Sequence, residues 1–88
     1  DYVMESGIFN LATPHWRETT YGTEAAMYRV CRIAVAVNFL SSYSGNSQPD
    51  SHYTDPAEMM RFVAEKLSWR FALRHDYRKN DFTVFIYR

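Results

Sequence analysis

His75, Asp76 and Tyr77 stand side by side near the end of the chain, in the run RFALRHDYRKNDFTVFIYR. A histidine beside a carboxylate invites general-base chemistry. Their spacing argues against it. Neighbours on a strand point to opposite faces, so His75 and Asp76 cannot both aim at one substrate atom, and the hydrogen-bonded end of a hairpin is the plainer reading. Asn38 sits near the carboxyl end of an apolar run, and a buried amide needs partners; it faces a cleft or caps a loop. His15, His52 and His75 have no ligand spacing and no partner cysteines, so no metal site is expected. Cys31 shares a helical stripe with Met27, Val30 and Ala34, which points to packing rather than nucleophilic chemistry. Tyr43 and Tyr53 flank a long polar loop and read as its anchors.

The elements that would position these residues are legible in the spacing. Residues 1–4 read as a short buried strand entering the small-residue turn ESG. From about Trp16 to Arg32 the period is helical, with Glu24, Arg29 and Arg32 off the apolar stripe. Gly22 weakens this helix by about 1 kcal/mol relative to Ala. Residues 33–40, IAVAVNFL, are apolar on both alternating sets, as in a sheet covered by helices on both faces. SSYSGNSQPDSHYTDP (41–56) is the main loop. Asp55 is a helix N-cap, Pro56 suits the first helical position, and Glu58 has capping-box spacing. Met59, Met60, Val63, Ala64 and Leu67 follow as the apolar face. Two strands, 70–77 and 81–88, close the chain as a hairpin around Arg78-Lys79-Asn80. The last is apolar on both sets and carries no blunting charge, so it belongs inside the sheet. The first two strands, joined through a helix, should be parallel. The expected order is 1–4, 33–40, 81–88, 70–77, in an α/β fold of two parallel strands plus an antiparallel terminal hairpin, flanked by two helices.

Composition narrows the function classes. The chain has 88 residues, ten Lys plus Arg and ten Asp plus Glu, for a formal net charge of zero. That argues against a nucleic-acid arm or a polybasic membrane patch. Aromatic residues fit strand cores better than a base-stacking platform, because no basic groove accompanies them. One cysteine permits no internal disulfide, and a reducing, cytoplasmic setting is the default. No signal-peptide pattern or stretch of membrane-spanning length is visible.

Four segments in register resemble a known family. DYVMESGIFN resembles the fourth strand and following loop of class I S-adenosylmethionine-dependent methyltransferases. AVAVNFLSSYS resembles their fifth strand and its Ser-rich loop, YTDPAEMMRF the entry to their last helix, and RFALRHDYRKNDFTVFIYR their terminal hairpin. The likeness runs over nearly the whole chain. It implies the C-terminal half of a Rossmann-like methyltransferase sheet, so that residues 1–88 form a single partial domain.

The family holds S-adenosylmethionine on a Gly-rich loop after its first strand, where the backbone can approach closely at a helix N-terminus. Here Gly7, Gly22 and Gly45 stand isolated. The resemblance therefore implies that the cofactor belongs to the intact parent and that this chain alone binds none and is inactive. The absent cofactor-binding half would lie beside residues 1–4. Within the parent, Ser6 and Asn10 would border the methyl-transfer site, and Asn38, His75 and Tyr77 complete the candidate substrate-binding set. The competing expectation is a free-standing, non-catalytic α/β module. Either reading leaves an exposed first strand, so self-association into a homo-oligomer is expected.

Overall fold

The computed structural model of the chain describes residues 2–6, 13–45, 51–77 and 79–88. The elements run β1 (Tyr2–Ser6), α1 (Trp16–Val30), β2 (Ala34–Leu40), a short 3-10 turn (Ser42–Ser44), α2 (Pro56–Lys66), β3 (Phe71–Arg74) and β4 (Asp81–Tyr87). They form a small α/β unit around one four-stranded mixed sheet in the order β1-β2-β4-β3. β1 and β2 are parallel, and β4 is antiparallel to both β2 and β3. The expected order and strand directions are met. β1 runs on to Ser6, whereas the other strands are shorter than their sequence patterns: β2 begins at Ala34, β3 stops at Arg74 and β4 at Tyr87.

The core lies on one face of this sheet. Val35, Val37 and Phe39 of β2 stand opposite Ile86, Val84 and Phe82 of β4, and all six are fully buried. Met59 and Val63 of α2 and Trp16 of α1 close over them. The helices touch through Tyr21 and Phe62, whose rings stack at 3.9 Å between centroids. An exposed ion pair between Arg17 and Glu58 adds a second link, and the Tyr21 hydroxyl donates to the same carboxylate at 3.3 Å. Asp55 caps α2 as expected, accepting from the Ala57 amide at 3.0 Å. Glu58, in contrast, turns to α1 instead of completing a capping box. On α2, Phe62 joins the packed face while Met60 and Ala64 lie outside it.

Two further expectations are corrected. The first is that helices cover both sheet faces. α1 and α2 pack on the same face, and no described helix covers the other, where Tyr2 is 68% and Met4 78% exposed. Topology supplies the reason. The crossovers β1-α1-β2 and β2-α2-β3 join parallel strands and step the same way across the sheet. Crossovers sharing both step and hand put their helices on one side. The same geometry means that β1 is not a buried strand: only Val3 packs against the core cluster.

The second correction concerns α1. Its buried positions are Trp16, Thr20 and Glu24, while Val30 is 72% exposed. Cys31 is buried as expected, its thiol donating to the Tyr28 carbonyl at 3.2 Å. Glu24, expected off the apolar stripe, is fully buried. Neither of its carboxyl oxygens has a hydrogen-bond partner among the described residues. An ionised carboxylate is costly in such a place. Burial first, and then the charge of Glu5, push its carboxyl up from an ordinary 4.5 to about 8.

Glu24 therefore keeps its proton in the folded chain at neutral pH and loses it on unfolding. The stability it carries is complete below pH 4.5 and is lost as pH rises towards about 8. The slope is at most about 1.4 kcal/mol per pH unit. Urea unfolding at pH 5 and pH 8 should show this loss, and Glu24→Gln should remove it. A second test is Gly22→Ala. A Cβ at Gly22 meets nothing within 4 Å, so the substitution should raise stability by about 0.4–1 kcal/mol in the same assay.

Candidate functional site

β1, β2 and β3 all point the same way, because β1 and β3 are each parallel to β2 by direct or relayed pairing. Their carboxyl ends lie on one edge, where ligands bind in open α/β sheets. Four of the five candidate residues fall there. Ser6 closes β1 and stands opposite Asn38 of β2 in the register. His75 and Tyr77 follow β3 directly. Asn10 lies outside the described residues.

The structure divides the candidates between the two faces. Since β3 ends at Arg74, His75 to Tyr77 form the turn and not the end of a strand. His75 goes to the helix-covered face. Its Nε2 lies 2.6 Å from Ser41 Oγ, and its ring stacks on Phe82. Ser41, fully buried, also accepts from the Tyr43 amide at 3.1 Å. Asp76 does not join this pair. Arg74 grips its carboxylate through Nε at 3.2 Å and a terminal nitrogen at 3.0 Å, and that grip holds the Asp76 carboxyl below its usual range. Among the described residues no carboxylate orients His75 and Ser41, and the buried hydroxyl is closed to substrate. The pair anchors the end of β2 to the hairpin, with the Ser41 amide donating to Asn80 at 2.8 Å.

Tyr77 goes to the open face and meets Asn38. The Asn38 side-chain amide donates towards the Tyr77 hydroxyl at 3.0 Å, the Phe82 carbonyl at 3.3 Å and Thr83 Oγ1 at 3.4 Å. The Tyr77 and Thr83 hydroxyls are 2.7 Å apart. Three side chains from β2, β4 and the turn between β3 and β4 thereby form one polar cluster. It heads a cleft of about 300 Å³ floored by Met4, Ala36 and Phe85, at the small end of the range for small-molecule sites.

Thr83 and Ser41 escape sequence reasoning. Thr83 sits in an apolar strand pattern, and only the β2–β4 register puts it opposite Asn38. Ser41 is one of several loop serines, with no spacing to single it out. Among the described residues no group of three His, Cys, Asp or Glu side chains could hold a metal ion. No helix among them is long and apolar enough to cross a membrane.

The chain is 30% identical over 92 residues to a Mycobacterium tuberculosis protein named "Putative methyltransferase Rv1506c"; the match covers 98% of this chain and 55% of that protein. The chain thus spans about half the length of the curated relative it matches. No protein-family model matches it, and no solved structure matches it significantly. The likeness supports a methyltransferase-like relationship.

The anchoring role of Ser41 has a direct test. Ser41→Ala strands the Tyr43 amide and the His75 ring nitrogen, and should lower stability by roughly 1–3 kcal/mol in urea unfolding. Thr83→Val, on the half-buried open face, should cost about 1 kcal/mol or less.

Proposed function

We propose that the chain is the acceptor-binding, C-terminal portion of an S-adenosylmethionine-dependent methyltransferase domain. The observation that carries this reading is the likeness to a methyltransferase over nearly the whole of this chain and about half of that protein. The sheet adds support, because a reversed last strand set between two parallel ones agrees with the terminal hairpin that the resemblance implies.

The described residues do not fit the cofactor itself. A Gly-rich cradle needs glycine in a strand-to-helix turn, where the backbone approaches the ligand. Gly22 lies inside α1, Gly45, with φ of 81°, is the single glycine of the β2–α2 connection and forms no Gly-rich run, and Gly7 lies outside the described residues. Cofactor binding thus falls to a segment beyond these residues, and the uncovered face beside β1 offers it a seat. What this chain supplies is position. Holding an acceptor in a reactive pose removes much of the entropic part of a transfer barrier, and Asn38, Tyr77 and Thr83 are placed for that task.

A second reading is favoured by one observation, the exposure of Tyr2 and Met4 on an edge strand. Such a surface suits a non-catalytic module that self-associates. The two readings separate in one experiment. The reading frame before Asp1 should encode a G-x-G loop, and the chain extended by it should bind S-adenosylmethionine in titration calorimetry. The 88-residue chain should give no saturable heat at millimolar ligand. A start codon directly before Asp1, with a stable dimer of the short chain in sedimentation, would favour the module.

A further inference from the structure

The open-face cluster has a hydrogen-bond count that does not close. The Phe82 carbonyl only accepts, so the Asn38 –NH₂ must face it. Asn38 Oδ1 is left with no donor among the described residues, since the Asn38 bonds all run from its nitrogen. The two hydroxyls carry two protons. One fills the 2.7 Å bond between Tyr77 and Thr83. The Asn38 nitrogen and the neighbouring hydroxyl are their only partners, so the second proton has no acceptor among the described residues. The cluster therefore offers the cleft one acceptor and one donor, a few ångströms apart, above the apolar floor of Met4, Ala36 and Phe85.

Proton supply restricts the ligand further. A carboxylate or phosphate oxygen has no proton to give Asn38 Oδ1, and no Lys or Arg is among the described lining residues. A neutral group with a donor next to an acceptor would satisfy both free functions, and a flat one would lie along Phe85 and Ala36.

We infer that this cleft is the acceptor-recognition subsite and that it takes a neutral, planar amide edge, a primary or secondary carboxamide or a lactam. This rests on the reading of the chain as the acceptor side of a methyltransferase. Asn38 would accept from the ligand N–H, and the free hydroxyl of Thr83 or Tyr77 would donate to the ligand carbonyl. A site built to pair both functions discriminates against analogues lacking either one.

The test uses the 88-residue chain labelled with nitrogen-15 and three small probes of one shape. Benzamide presents both functions, N,N-dimethylbenzamide lacks the donor, and benzoate carries a charge. Benzamide should shift the Asn38 side-chain amide and the Thr83 backbone amide saturably. The other two should bind about tenfold more weakly or worse, the value of one hydrogen bond of about 1.4 kcal/mol. Thr83→Val should weaken benzamide by a similar factor and Thr83→Ser should restore it. Far-UV circular dichroism checks that each variant folds, and the three-probe ranking on the unaltered chain stands if either does not. Equal binding of the three probes, no saturable shift with benzamide, or shifts that spare Asn38 would each overturn the inference. Failure here leaves the methyltransferase reading standing if the extended chain binds S-adenosylmethionine. Benzamide recognition without that binding would overturn the methyltransferase reading alone.

Discussion

The pairing of β4 with β2 is the constraint on which the rest of the molecule depends. β4 enters antiparallel between two strands that run the other way, so its backbone groups are paired on both sides. The same register sets Val35, Val37 and Phe39 against Ile86, Val84 and Phe82. Each such side chain, fully buried, contributes about 1.5–3 kcal/mol, and together they form the floor on which α1 and α2 rest. One residue further round the pleat, the register sets Asn38 against Thr83. Core and candidate site are thus two faces of one strand pair, and a register slip of one residue would exchange them.

A second consequence is that the sheet is one-sided. Both crossovers step in the same direction, so both helices fall on the same face, and the chain has no further element among the described residues to cover the other. The open face is not built as a solvent face. Tyr2, Met4 and Phe85 are apolar or aromatic, and the polar groups gather at the carboxyl edge in the Asn38 cluster. The buried Glu24 is a contrasting case, a polar group placed where the fold provides no partner among the described residues. Its carboxyl accommodates burial by keeping its proton.

Much of this was legible in the sequence, for identifiable reasons. The last strand is apolar on both sets and lacks edge charges, which is what an internal strand requires. Asp55 and Pro56 announce α2 through local capping chemistry that tertiary contacts did not override. α1 was harder to read. Its buried face runs through Thr20 and Glu24, so the apolar period pointed instead to Val30, which is exposed. One-sidedness was also hidden, because a doubly apolar strand carries the same pattern whether or not a second layer is present. At the site, Asn38, His75 and Tyr77 could be selected by type and by their place near strand ends. Their partners could not, since Ser41 and Thr83 acquire meaning only through register and loop closure. Asp76, adjacent to His75 in sequence, belongs to Arg74 in space.

In the proposed function a cofactor-binding segment sits on the open face of the sheet. Paramagnetic broadening by a soluble probe measures this directly. In the 88-residue chain, the signals of Met4, Ala36 and Phe85 should broaden, while those of Val37 and Val84 on the covered face should not. In the chain extended by its upstream reading frame, Met4, Ala36 and Phe85 should become protected. Equal broadening of these three residues in both forms would show that the open face is not that seat.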